Sequence, residues 1–221
     1  GGVLVFPVSP RFLDALQRPH RVETVVTATP PGGDPMPVRL KGGSITVDSG
    51  SRIRRRGSLR VLASRAEWDV LSTDGCLIEV RHGVQFAPAE SELVPVFTGE
   101  VSSAGRALAP SSGEVSLPLQ DLGGWLARAE LLTPQTLLGG VRRVGHIGSL
   151  VTAARPGTTL LSLTSQGGVL ATDVVVDGSR VRAIESLETD GQLESYFDGA
   201  GTYVIRRARA LNDPPVFTLR Q

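Results

Sequence analysis

Residues 76–86 read Cys-Leu-Ile-Glu-Val-Arg-His-Gly-Val-Gln-Phe, and this run decides the fold class. Leu77, Glu79 and Arg81 fall on one side and Ile78, Val80 and His82 on the other, the period-two pattern of a half-buried strand. Outward from it the same pattern recurs in short stretches. His20–Thr29 alternates and is rich in Val and Thr. Val38–Leu40 and Ser44–Asp48 read as strand pieces with Lys41-Gly42-Gly43 turning between them, and Pro30–Pro35 is a turn cluster. Ser58–Ala63 and Glu114–Leu119 are further strands. Val94–Val101 carries Pro95, which predicts an edge or bulged strand. Roughly six to eight short strands at such spacing predict a small antiparallel β-barrel or sandwich.

Helices flank this β-rich stretch. Ser9 caps a predicted helix with Pro10 at its first position, where the missing N–H costs nothing, and Pro19 stops it. Val3–Val8 ahead of it is a strand candidate. Gln120–Glu130 predicts one or two helical turns, weakened by Gly123-Gly124. Beyond residue 130 the pattern changes. Leu131–Gly140 reads as a linker and Val144–Ala154 as a helix. Val174–Asp177 is a short extended piece. Ser179–Glu188 is an amphipathic helix capped by Ser179, with Val181, Ile184 and Leu187 as its stripe. Glu194–Arg206 forms a hairpin around a Gly-rich turn, and Val216–Leu219 opens a further strand. The expected class is mainly β with α+β: a barrel domain over residues 1–130, then a smaller α+β domain over 131–221, incomplete at its C-terminus. The absence of an initial Met and the abrupt end at Gln221 read as an ordered portion of a longer polypeptide.

Composition supports this outline. Of 221 residues, 26 are Gly and 15 are Pro, which demands frequent turns rather than long helices. At 40 % hydrophobic the chain is too apolar to be disordered, yet no run of ~18 apolar residues predicts a transmembrane helix. With 23 basic and 22 acidic residues there is no strong pull toward nucleic acid or anionic lipid. The single cysteine, Cys76, excludes an intrachain disulfide.

No chemistry-bearing constellation emerges. His20, His82 and His146 lack the paired spacing of metal ligands, so no metal and no cofactor is expected. Cys76 and His82 stand six residues apart on one strand, about 20 Å, too far for a thiol and its base. Cys76 therefore reads as a small core residue. The pairs Glu90/Glu92, Glu185/Glu188 and Asp173/Asp177 read as solvated carboxylates rather than a hydrolase pair, so no catalytic residue is expected. The densest basic run is Arg52, Arg54, Arg55 and Arg56. It reads first as a solvated face, next as a subunit contact, and last as a nucleic-acid contact, since no aromatic residue interleaves it.

Two stretches carry a resemblance. Phe6-Pro7-Val8-Ser9-Pro10-Arg11-Phe12-Leu13-Asp14-Ala15-Leu16, followed by Pro19-His20-Arg21-Val22, resembles the start of a family of tail proteins from phages of actinobacteria, and Gly43–Asp48 with Arg54-Arg55 extends the likeness. Asp177–Leu187 followed by Tyr196–Arg206 is similar to a helix and "YFD" hairpin of tail hub proteins. The departure is Glu188-Thr189-Asp190-Gly191, where the family pattern continues as a longer helix. The resemblance implies a structural, non-enzymatic protein of the virion: a tail-tip or baseplate hub. Such hubs are rings, commonly homotrimers. They join the tail tube to distal tail, tape-measure, spike or fibre proteins, and genomic DNA passes through without specific binding. It also implies that Arg52, Arg54, Arg55 and Arg56 contact a neighbouring subunit or face the channel. A tail-associated cell-wall hydrolase, or a receptor- or carbohydrate-binding module relying on Trp68 and Trp125, are the competing readings.

Overall fold

The structure is a computed structural model and describes residues 6–102 and 113–209. It divides into two units. One comprises Phe6–Trp125 with Phe197–Thr202, and the other Leu126–Tyr196 with residues 203–209.

The first unit is built on strands β1 (Arg21–Thr29), β2 (Met36–Pro37), β3 (Arg39–Val47), β4 (Arg55–Leu62), β5 (Leu77–Ala87), β6 (Glu90–Val101) and β7 (Glu114–Asp121). They form one seven-stranded sheet in the order β2-β1-β5-β6-β7-β4-β3, with every ladder antiparallel. Alternation does the sorting. Val26 and Ala28 of β1, Leu59 and Val61 of β4, Ile78 and Val80 of β5, Phe97 and Val101 of β6, and Val115, Leu117 and Leu119 of β7 point into one core. Met36, Val38, Leu40 and Ile45 from the β2–β3 stretch pack against it. Cys76 is buried there, as expected of a small core residue.

The sheet differs from the expected closed barrel. No ladder joins β2 to β3, so the hydrogen-bonded order is open. Yet its two ends are neighbours in sequence, separated only by Val38, whose N–H donates to the carbonyl of Val26 at 2.9 Å. The turn expected at Lys41-Gly42-Gly43 is a bulge inside β3, where the register with β4 shifts between Leu40 and Gly42. Pro95 does not mark an edge. β6 lies between β5 and β7, and the register shift that puts Val80 opposite Phe97 and Arg81 opposite Pro95 accommodates the proline as a bulge.

Two short helices join this unit. α1 (Pro10–Leu16) starts as predicted: Ser9 Oγ accepts the Phe12 N–H, and Phe12 is buried. Glu92 accepts both the N–H and the hydroxyl of Ser9, and Glu90 pairs with Arg11, so this acidic pair anchors the helix entrance. Of the strand expected over Val3–Val8, residues 6–8 are irregular and the rest lies outside the described residues, as does Val216–Leu219. α2 (Arg65–Leu71), not foreseen from the sequence, carries a full capping box between Ser64 and Glu67 and delivers Trp68 and Leu71 to the core.

α3 (Leu122–Arg128) leads into the second unit. There β8 (Glu130–Leu137) pairs antiparallel with β10 (Val174–Ser179) in a two-stranded ribbon, where a linker was expected. α4 (Arg143–Ala154) and α5 (Arg180–Gly191) pack Ile147, Leu150, Val151, Ile184 and Leu187 into a second core. Ser179 caps α5 as predicted, accepting the Arg182 N–H. α5 ends at Gln192 in the left-handed conformation, φ 51°. The expected hairpin is β11 (Leu193–Phe197) and β12 (Tyr203–Arg207), and β12 also pairs in parallel with β9 (Leu160–Ser162).

Candidate interface site at the arginine run

Within the first unit, residues 48–54 form the loop between β3 and β4, closed by the Asp48 N–H on the Arg54 carbonyl at 2.8 Å. Arg52, Arg54 and Arg55 are half-buried and Arg56 is exposed. The loop is pinned from below by a carboxylate 66 residues away. Asp121, 1 % exposed at the end of β7, accepts the Arg55 N–H at 2.8 Å on Oδ2 and the Gly123 N–H at 2.9 Å on Oδ1. A side chain at Gly123 would put its Cβ 2.9 Å from the Arg52 carbonyl oxygen, so α3 needs this glycine to approach the arginine loop. Burial pushes the Asp121 carboxyl above its ordinary 3.8, and the backbone N–H donors oppose that rise only in part.

The Arg55 guanidinium reaches the other way. Its Nη1 donates to the Phe197 carbonyl at 2.7 Å. That residue begins Phe197–Thr202, the hairpin tip grouped with this unit. Asp198 Oδ1 holds the tip's shape, accepting the Ala200 and Thr202 N–H groups at 2.9 Å each. Thr98 Oγ1 donates to the Gly199 carbonyl at 3.0 Å, and a Cβ on Gly199 would sit 2.5 Å from the Pro95 carbonyl oxygen. Beside Asp121, Glu100 of β6 is a second buried carboxylate, with Gln120 Nε2 at 3.4 Å. The arrangement is a brace: charge-assisted and backbone hydrogen bonds fix one loop, one helix start and one hairpin tip.

The four arginines thus divide by role. Arg55 is turned to Asp121 and Phe197, and Arg52 packs its backbone on Gly123. Arg56, exposed between Thr46 and Gln120, faces outward from the sheet. Sequence reading missed Asp121 and the tip as partners of the run. The available signal was Asp121-Leu122-Gly123, an Asp placed to cap a helix start.

A second feature is a cavity of about 510 Å³ where β3 diverges from β1, lined among others by Thr24, Leu40, Ile45, Val80, His82 and Val96. Its polar element is the Thr24 Oγ1–His82 Nδ1 hydrogen bond, 2.8 Å. The three histidines lie apart: His20 Nδ1 is 2.8 Å from the Arg18 carbonyl, and buried His146 donates through Nε2 to the Leu138 carbonyl at 3.0 Å. Among the described residues no three His, Cys, Asp or Glu gather as a metal site, and no helix is long and apolar enough to cross a membrane. Glu188 accepts from the Ser195 hydroxyl, and Asp173 from the Gly139 N–H at 2.7 Å.

No family model and no curated protein matches the chain. Solved structures do. A tail protein from Neisseria meningitidis is 17 % identical with a TM-score of 0.56, covering 87 % of this chain and 53 % of its own. The 43 kDa tail protein of prophage MuSo2 from Shewanella oneidensis is 18 % identical with a TM-score of 0.57, covering 86 % of this chain and 57 % of its own. A lidless PdpA–VgrG complex follows at 10 % identity and a TM-score of 0.50, covering 84 % of this chain. The shared property is the fold, that of phage tail proteins. The chain spans a little over half the length of the two tail proteins.

Proposed function

We propose that the protein is a structural, non-enzymatic component of a phage tail or tail-like particle, a hub at the tail tip. The observation that carries this reading is the fold shared with two phage tail proteins over 87 % and 86 % of the chain. The relation to phages of actinobacteria in particular rests on the sequence resemblance alone. The first unit is then a barrel-like sheet with an open seam: Met36–Val38 meets β1 at one sheet end while Arg39–Val47 completes the other end on β4. We take copies of the chain to assemble as a ring, a homotrimer in the virion. Neighbouring tail and spike proteins are its partners, and DNA crosses the ring without specific contacts, in keeping with a net charge of +1. Of the arginine run, outward-facing Arg56 is the residue we assign to a subunit contact or the channel wall, while Arg52, Arg54 and Arg55 build the brace beneath it.

The test is assembly and location. Light scattering of the full-length purified protein is expected to give a discrete symmetric oligomer, and gold labelling of the chain in intact particles is expected to mark the tail tip. A protein that stays monomeric at every concentration and is missing from particles overturns the reading.

A further inference from the structure

We infer that the second unit holds a binding site for a single carboxylate group, in the cavity where the start of α4 and the loop ahead of Leu170 meet the ends of α5 and β12; it stands independently of the hub reading above. The cavity measures about 340 Å³, and its charged lining is Arg143, Arg207 and Asp190.

The geometry of Arg143 carries the inference. Three successive carbonyls turn toward it. Its Nη1 donates to Gly167 and Val169 at 2.9 Å each, and its backbone N–H to Gly168 at 3.2 Å. The loop presenting them turns through φ 98° at Gly167 and 64° at Gly168, and a Cβ on Gly168 would sit 3.0 Å from Nη1, so this approach needs glycine. From the other side the end of α5 closes on the stem: a Cβ on Gly191 would lie 3.2 Å from Arg143 Cδ. The guanidinium is thereby held in one orientation with both Nη1 hydrogens engaged. Its opposite edge is unused. Nε is buried and finds no acceptor among the described residues, and Nη2 beside it donates to none of them either. A buried donor left unpaired is costly and calls for an acceptor from elsewhere. The two N–H groups on that edge are parallel and coplanar, the fork that the two oxygens of a carboxylate match.

Charge narrows the class. Arg207 at the end of β12 and Asp190 near the end of α5 are exposed, and neither forms an ion pair among the described residues. Two arginines against one aspartate leave the lining a single positive charge in surplus, which one carboxylate balances. A doubly charged phosphate would exceed it and be repelled by Asp190. Gln166 and Gln192 add neutral amide donors to the wall. A free small carboxylate and the carboxyl end of a partner chain present this same group.

The experiment follows the Arg143 Nε–H resonance and the Gly167 and Gly168 amides of the full chain by NMR while sodium acetate replaces sodium chloride at constant ionic strength. These resonances are expected to shift together and to saturate on one binding curve. Arg207→Gln changes an exposed side chain that bonds to no described residue, and is expected to weaken acetate roughly tenfold, the loss of one charge-assisted contact. Asp190→Asn removes the like charge and is expected to tighten acetate, while Arg143→Lys is expected to abolish saturation. A short peptide with a free C-terminus and its C-terminal amide separate the two sources. Tighter binding of the acid than of acetate, with none by the amide, supports the end of a partner chain; equal binding of acid and acetate supports a free small carboxylate. Shifts that stay linear in acetate concentration reflect ionic screening and overturn the site. Phosphate binding tighter than acetate overturns the carboxylate assignment. An Asp190→Asn change that by itself moves the Arg143 Nε–H resonance as far as saturating acetate does makes Asp190 the acceptor and overturns the proposal as well.

Discussion

Asp121 shows what one buried carboxylate does in this chain. Both of its oxygens accept backbone N–H groups, and burial still raises its pKa above 3.8 because desolvation outweighs those donors. A folded-state pKa above the unfolded value means that the folded chain binds this proton more tightly. The stabilising contribution is therefore fully present below 3.8 and is lost as pH rises through the folded value. Asp121→Asn cannot titrate, and since an amide has one acceptor oxygen it also loses one of the two N–H bonds, a loss that lowers stability at every pH and leaves the pH dependence as the readout. Thermal melts of both proteins from neutral pH down to about that value are expected to show Asp121 contributing a rise on acidification that the variant lacks. Glu67 and Glu92 act in the opposite sense. Their hydrogen bonds from Ser64 and Ser9 hold both carboxyls below 4.5, so their contribution is present above 4.5 and disappears as pH falls through the lowered values. The net acid response of the molecule is a contest between these two kinds of carboxylate.

At the scale of the element, caps and local partners decide what forms. In α2, Ser64 Oγ accepts the Glu67 N–H at 3.3 Å and Glu67 Oε2 accepts the Ser64 N–H at 2.6 Å. Ser64→Ala is expected to cost about 0.5–2 kcal/mol, read as a lower denaturation midpoint and as a changed near-UV signal from Trp68, which α2 holds in the core. Caps of this kind are the part of the fold that sequence states plainly: Ser9 and Ser179 announced α1 and α5, and strict alternation announced β1 and β5. The Ser64–Glu67 box carries the same signal, yet α2 is so short that its apolar stripe amounts to Trp68 and Leu71. β8 was hidden for a different reason. Its partner β10 lies some forty positions on, and Pro134 within it reads locally as a break. Distance also concealed the brace. The arginine run is conspicuous in sequence, but nothing local says that it rests on a carboxylate in β7 and a carbonyl at residue 197.

For the molecule as a whole, the first unit depends on one core to which β1, β4, β5, β6, β7 and α2 all contribute. Phe97, with no exposed surface and beside the β6 bulge, is its largest fully buried apolar ring outside the second unit. Phe97→Ala is expected to cost about 3–5 kcal/mol, a large share of the ~5–15 kcal/mol typical of a folded domain, measured as the shift of the urea midpoint. The hairpin tip has a consequence of a different kind. Phe197–Thr202 belong to a unit whose other residues end at Trp125. During synthesis the polypeptide emerges from its N-terminus, so the ribosome delivers the last part of this unit only after more than seventy intervening residues have appeared. Until residue 202 clears the exit tunnel, the Arg55 guanidinium lacks its acceptor on Phe197 and Thr98 lacks the Gly199 carbonyl. Completion of the first unit is thereby timed to the translation of the second, and a nascent chain cut short anywhere in between carries the strands but not their final clasp.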